Sequence, residues 1–161
     1  MSYVLKGGTT SKVVFVEARD AARDRTPAIG LSHESPGASA AFIRAGASSV
    51  QRMSLAGGTL GRYQPGGFVE VDRSLMPGVY ALCLPDSVLA PGADNVVVLL
   101  GFTGARVTPI EISLVAYDPQ DEKRLGMSAL GPEGRIAALR GAFPRLTANE
   151  LVETRDTAGN T

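Results

Sequence analysis

The stretch MPGVYALCLPDS at positions 76–87 decides the fold. Two sets of side chains alternate along it, namely Tyr80, Leu82 and Leu84 against Val79, Ala81 and Cys83. Successive side chains of a β-strand point to opposite faces, so this alternation is typical of a strand. Proline lies near both ends, beside Gly78 and Asp86, as expected of turns. The stretch therefore predicts one short strand between turns, without residues arranged to act on a substrate.

Strand-like segments continue through the first two-thirds of the chain, at 3–5, 12–19, 39–46, 48–55, 66–72, 95–102 and 108–118. Glycines and prolines, 19 and 10 in all, separate them. In 108–118, Ile110 and Ile112 face one side and Glu111 the other, a clear period of two. About seven or eight short strands between turns predict an all-β fold, an antiparallel β-sandwich over residues 1–118.

Four local features of this region give more specific expectations. The run Val96 to Leu100 does not alternate in polarity, which predicts a central strand covered on both faces or one that crosses between layers. PGG at 65–67 and MPG at 76–78 are expected as tight turns. The segment after Pro85 is expected to form one helical turn, with Asp86 or Ser87 as its N-cap.

The remaining residues, 119–161, have a different character. They are charged, interrupted by glycines and poor in β-branched residues. Short helices are predicted at 119–127, 133–143 and 147–154, each too short to be stable alone. We therefore expect a C-terminal arm that becomes ordered by packing on the β-domain or, as we favour, on another subunit.

Composition restricts the classes of partner. Sixteen basic residues balance sixteen acidic ones, so the chain lacks the positive field on which nucleic-acid binding depends. Its longest apolar run, VVVLLGF from Val96, is far shorter than the roughly 20 residues that cross a bilayer. The first ten residues lack the pattern of a signal peptide. Neither nucleic acid nor a membrane is expected as a partner.

The chain also lacks a recognisable catalytic or metal-binding pattern. Cys83 lies among apolar neighbours of a predicted strand and is expected to be an inert core residue. His33, the single histidine, lies in a polar loop. The glycine-rich stretch 56–67 lacks the ending of a phosphate-binding loop, and the serines form no nucleophile elbow. We predict no catalytic residue, metal or cofactor, and no enzymatic activity.

Several segments resemble, in their order along the chain, a β-sandwich module of tailed-bacteriophage virion structural proteins. They are GLS at 30–32, AAFIRAG at 40–46, GGFVEVD at 66–72, MPGVYALCLPD at 76–86, GADNVVVLL at 92–100, IEISLVAYDPQD at 110–121 and RLGMSAL at 124–130. The likeness spans most of residues 1–130. It implies a decoration or anchoring protein of the virion rather than a catalyst. Because the chain ends soon after RLGMSAL, we expect a compact decoration protein without a fibre.

The resulting expectation is a capsid decoration, or cement, protein made in the host cytoplasm and carried on the outer surface of the virion. Its partners would be the major capsid protein and copies of itself, as a homotrimer at three-fold positions of the shell. The candidate subunit contacts are Tyr3, Val4, Leu5, Ile136, Leu139, Phe143, Leu146 and Leu151. Equally, these apolar residues could complete the chain's own core.

Two other functions stay open at this point. One is an adaptor that binds tail proteins and anchors a fibre or another component at the tail or baseplate. The other is a carbohydrate-binding module, a role for which β-sandwiches are common carriers.

Overall fold

The structure, a computed structural model, describes residues 1–23 and 25–116. This part of the chain is all-β, as predicted, with one four-residue 3₁₀ turn at Asp86–Leu89. Its strands are β1 (Ser2–Lys6), β2 (Val13–Asp20), β3 (Ser39–Arg44), β4 (Gln51–Met53), β5 (Ala56–Gly57), β6 (Gly67–Asp72), β7 (Met76–Cys83), β8 (Asn95–Gly101), β9 (Ala105–Val107) and β10 (Ile110–Val115). The predicted arm at 119–161 and its boundary after residue 118 lie outside the described residues.

The strands form two five-stranded sheets. The first has the order β1-β10-β8-β3-β4 and the second has the order β5-β6-β7-β2-β9. Most neighbouring strands are antiparallel, as predicted, but β1 runs parallel to β10 and β5 runs parallel to β6. Both sheets are therefore mixed. In each sheet the parallel strand lies at the edge, and no hairpin joins it to its neighbour.

Buried side chains from both sheets belong to one hydrophobic core. On β10 the buried residues Ile110, Ile112 and Leu114 alternate with exposed ones, as the period of two predicts. In the second sheet the Phe68 ring stacks on Tyr80 with ring centroids 4.8 Å apart. Phe102, which follows β8, stacks on the same Phe68 ring at 5.3 Å. The aromatic cluster thus joins β6 and β7 of the second sheet to the residue that follows β8.

Strand β8 is central in its sheet but is not covered on both faces. Val96, Val98 and Leu100 are buried, whereas Val97 and Leu99 are 38% and 51% exposed. The strand also stays within the first sheet, between β10 and β3. Both readings of the apolar run were therefore wrong. An uninterrupted apolar run does not reveal which of its faces is buried, and here the outer face is apolar as well.

The tight turn before β7 lies earlier than predicted. Met76–Gly78 is part of β7, and the turn comprises residues 73–75. The Asp72 carboxylate forms it by accepting the N–H groups of Leu75 at 2.6 Å and Ser74 at 2.8 Å. These hydrogen bonds lower the pKa of Asp72. A short acceptor side chain, rather than the proline-glycine pair, shapes this turn.

Gly78 has a different role, within the strand. Its φ is +77°, a conformation that favours glycine. A β-carbon there would lie 2.8 Å from both the Ala18 carbonyl oxygen and the Pro27 side chain. Glycine is therefore needed for the close approach of the segment around Pro27 to β7.

Other local predictions had mixed outcomes. The turn at Pro65–Gly66 is confirmed, since Gly67 donates its N–H to the Gln64 carbonyl oxygen at 2.8 Å. The predicted helical turn occurs as the 3₁₀ turn, but its N-cap position is Pro85, without a side-chain cap. Strands β5 and β9 were not predicted, because two or three residues are too few to show a period.

Replacing Ile112 by Asp should prevent folding, because Ile112 is 1% exposed and an unpaired charge in the core costs several kcal/mol. That cost is comparable with the total stability of a domain, about 5–15 kcal/mol. The matched control is Ser113→Asp on the exposed face of the same strand, which should melt close to the wild type. Thermal unfolding followed by circular dichroism distinguishes them, and cooperative melting of Ile112→Asp would contradict the assigned facing of β10.

Candidate interaction surfaces

Cysteine and histidine, two residue types that often carry chemistry, each occur once in the chain. Cys83 is a buried free thiol on β7, as predicted. His33 lies in a turn, with Nε2 3.7 Å from the Glu34 carboxylate. Among residues 1–23 and 25–116, no three His, Cys, Asp or Glu side chains are placed to hold a metal ion. No Asp, Glu, Lys, Arg or His side chain of this region is buried either.

The Tyr63 hydroxyl joins the glycine-rich segment to the end of β7. It donates to the Leu84 carbonyl oxygen at 2.8 Å and lies 3.2 Å from Asp86 Oδ1. The same Asp86 oxygen accepts the Ser11 N–H at 2.9 Å. Burial, followed by the nearby Asp86 carboxylate, raises the pKa of Tyr63, so the phenol keeps its proton. Asp86 and Tyr63 therefore fix loops to each other.

A second polar cluster attaches the loop at 28–31 to the second sheet. The Tyr80 hydroxyl donates to the Ala28 carbonyl oxygen at 2.8 Å and accepts the Leu31 N–H at 3.1 Å. Beside it, Glu70 Oε2 accepts the Gly30 N–H and an Arg73 guanidinium N–H, each at 3.1 Å. Burial raises the pKa of Tyr80. This cluster positions the 28–31 loop. The alternation of residues along the strands did not predict these hydrogen bonds.

The structure places three of the predicted contact residues, all on β1. Tyr3 and Leu5 lie opposite the buried Ile112 and Leu114 of β10 and pack against the core. Val4 lies on the other face and is 49% exposed. The five candidates in the C-terminal segment, Ile136, Leu139, Phe143, Leu146 and Leu151, lie outside the described residues.

Tyr3 also protects an open sheet edge. Strand β9 pairs with only the last three residues of β2, Ala18–Asp20, so the first part of β2 is paired on one side by β7. At Phe15 the Tyr3 hydroxyl takes the place of a neighbouring strand. It donates to the Phe15 carbonyl oxygen and accepts the Phe15 N–H, each at 3.0 Å. Occupying these backbone groups blocks an edge to which another chain could add a strand.

The outward face of the first sheet carries a continuous apolar surface, here named the outer patch. It consists of Ala41 and Ile43 on β3 and of Val97 and Leu99 on β8. Ile43 is directly opposite Val97, and Ala41 is directly opposite Leu99. These four residues therefore form a compact two-by-two cluster on the two strands next to each other in the sheet.

Two opposite charges border the outer patch. Glu111 on β10 lies directly opposite Val97, and Arg52 on β4 lies directly opposite Ala41. Both side chains are exposed, and neither has an ion pair or hydrogen-bond partner within the described part of the chain. Three strand spacings, about 14 Å, separate them, too far for a direct pair within one chain.

The second sheet has a groove on its outward side. It has a volume of about 400 Å³ and is lined mainly by apolar side chains, including Val13, Phe15, Leu60, Val69 and Ala81. A larger cavity of about 640 Å³ borders residues 91–94 and 114–116, and Asp94 is the one ionisable residue among its described lining. The groove of the second sheet is also bordered by the polar side chains Ser11, Thr59, Arg62 and Tyr63.

The chain was compared with protein families, curated proteins and solved structures. The chain matches no protein-family model, no curated protein and no solved structure. Within the described residues, no helix has the length and apolar character needed to cross a membrane.

Replacing Tyr3 by Phe should keep the fold but lower the free energy of unfolding by about 1 kcal/mol, because the edge of β2 loses its hydrogen-bonding partner. Amide exchange at Phe15 should accelerate. The control on the neighbouring residue is Val4→Thr, which should leave both quantities unchanged since Val4 faces outward. Chemical denaturation and amide hydrogen exchange measure the two effects, and an unchanged exchange rate at Phe15 in Tyr3→Phe would refute the edge role.

Proposed function

We propose that the two sheets form a β-sandwich and that this chain is a bacteriophage virion structural protein, a capsid decoration protein that binds the major capsid protein. Two findings support the sandwich. Both sheets contribute to one hydrophobic core, and their strands alternate between buried and exposed residues. The ordered likeness of the segments between 30 and 130 to a phage virion module supports the biological setting.

The observation that carries a binding role is the outer patch. Val97 and Leu99 are exposed apolar side chains on a central strand, next to Ile43 on the neighbouring strand. Contiguous exposed apolar surface on a protein commonly marks a protein–protein contact. The polar side chains Tyr63, Asp86 and Tyr80 lie elsewhere, where they join loops to each other and to the second sheet.

A decoration protein needs only such a surface to perform its function. Binding to the assembled shell, and not to its free subunits, lowers the free energy of the shell by mass action. Rupture by heat or internal pressure then requires more work. A rigid β-domain with an apolar outer face is suited to this role, and the role requires no reacting group.

The carbohydrate-binding alternative receives no support from the described tyrosines. Tyr80 is fully buried, and Tyr3 and Tyr63 are half-buried with their hydroxyls engaged in the protein's own hydrogen bonds. Stacking of sugar rings requires exposed aromatic faces. Tyr117 lies outside the described residues.

The location of the chain in purified phage particles tests the proposal. Electron cryomicroscopy with a quantitative protein inventory should find many copies distributed over the outside of the shell. Particles that lack the chain should rupture at a lower temperature, and adding the purified protein back should restore the rupture temperature. A few copies confined to the tail would replace the decoration role by the adaptor role. Absence from intact particles would overturn both.

A further inference from the structure

We propose that two copies of this chain associate face to face through their outer patches, as a two-fold symmetric pair. The inference rests on the proposed function only in treating the outer patch as a binding surface. In the pair the patch is covered by the second copy, so the capsid would be bound through another surface of each chain. A chain that pairs in solution could still be absent from phage particles, so the two proposals fail separately.

The apolar part of the face supplies the attraction. Ala41, Ile43, Val97 and Leu99 form the two-by-two cluster at the middle of the sheet. Five strands about 4.8 Å apart, with up to seven residues at about 3.3 Å each, give a face of roughly 20 by 23 Å. This area is smaller than the roughly 800 Å² per partner of a standard interface, so we expect a reversible, concentration-dependent pair.

The charges at the margins select a second copy as the partner. A two-fold interface brings the same surface of two copies together, so the surface has to complement itself. Consider a two-fold axis that lies between the two faces, runs parallel to the strands and passes midway between β8 and β3. Rotation about this axis places β10 of one copy over β4 of the other. Glu111 of each copy then approaches Arg52 of its partner. Two opposite-charge contacts form in every pair.

The positions of the two charges along their strands are compatible with this pairing. Glu111 is level with Val97, whereas Arg52 is level with Leu99, two residues further along β8. The offset is about 7 Å along the strand direction, a distance that the long arginine side chain can largely span. Neither charge has a partner among residues 1–23 and 25–116, and the pair gives each one.

The two-fold pair differs from the homotrimer expected from the geometry of a capsid. A three-fold ring joins two different surfaces of each copy, and it would not place Glu111 and Arg52 of the same face against each other. Oligomer mass therefore separates the two arrangements.

Analytical ultracentrifugation of the full chain over a wide concentration range tests the pairing. The wild type should show a reversible monomer–dimer equilibrium. Arg52→Glu alone should weaken it at least about tenfold, because carboxylates then face carboxylates at both contacts. Glu111→Arg alone should weaken the dimer similarly, because the new arginine of each copy then faces Arg52 of its partner. An equimolar mixture of the two single variants should associate again, since every contact between unlike copies pairs opposite charges.

Three further variants complete the design. Leu99→Lys, at the centre of the outer patch, should weaken the dimer at least about tenfold. The controls are Leu75→Lys in the 73–75 turn and Arg106→Glu on β9, which change exposed residues away from the patch and should leave the equilibrium unchanged. Thermal melting of each variant establishes that it is folded. A monomer at all concentrations, a trimer mass, or failure of the mixed variants to associate would each overturn the proposal.

Discussion

The inward-facing side chains of both sheets share one hydrophobic core, and much of the remaining surface follows from that constraint. Tyr80 shows how it operates, because its ring stacks on Phe68 inside the core while its hydroxyl holds the 28–31 loop. A strand can direct only alternate residues inward. The outward set contributes cross-strand pairs to the sheet but is not constrained by the packing of the core.

On β8 that outward set is unusually informative. Val97 and Leu99 are not needed to fill the core, since Val96, Val98 and Leu100 already do so. Exposed apolar residues at both positions lie beside Ile43 and between Glu111 and Arg52, which have no partner in the described part of the chain, and the proposed contact uses this arrangement. By contrast, the polar side chains that could suggest chemistry, such as Asp86 and Tyr63, are occupied in fixing loops.

Sequence patterns anticipated strands where burial and polarity coincide. Strand β10 is the clearest case, with isoleucines inward and Glu111 outward. The patterns did not predict the burial of β8, because both of its faces are apolar and only the assembled sheet shows which face is exposed. They also failed before β7, where Asp72 forms the turn through hydrogen bonds that no period reveals. The link between Tyr3 and Phe15 joins separate strands in three dimensions, so sequence analysis could identify Tyr3 as interesting but not assign its role.

Amide NMR of the isotope-labelled chain during dilution locates the proposed contact surface. Resonances of Ile43, Arg52, Val97, Leu99 and Glu111 should shift together as the concentration falls. Those of Phe15 and Leu60, in the groove of the second sheet, should stay in place. Spectra that do not change with concentration, or changes centred on the groove, would contradict the account.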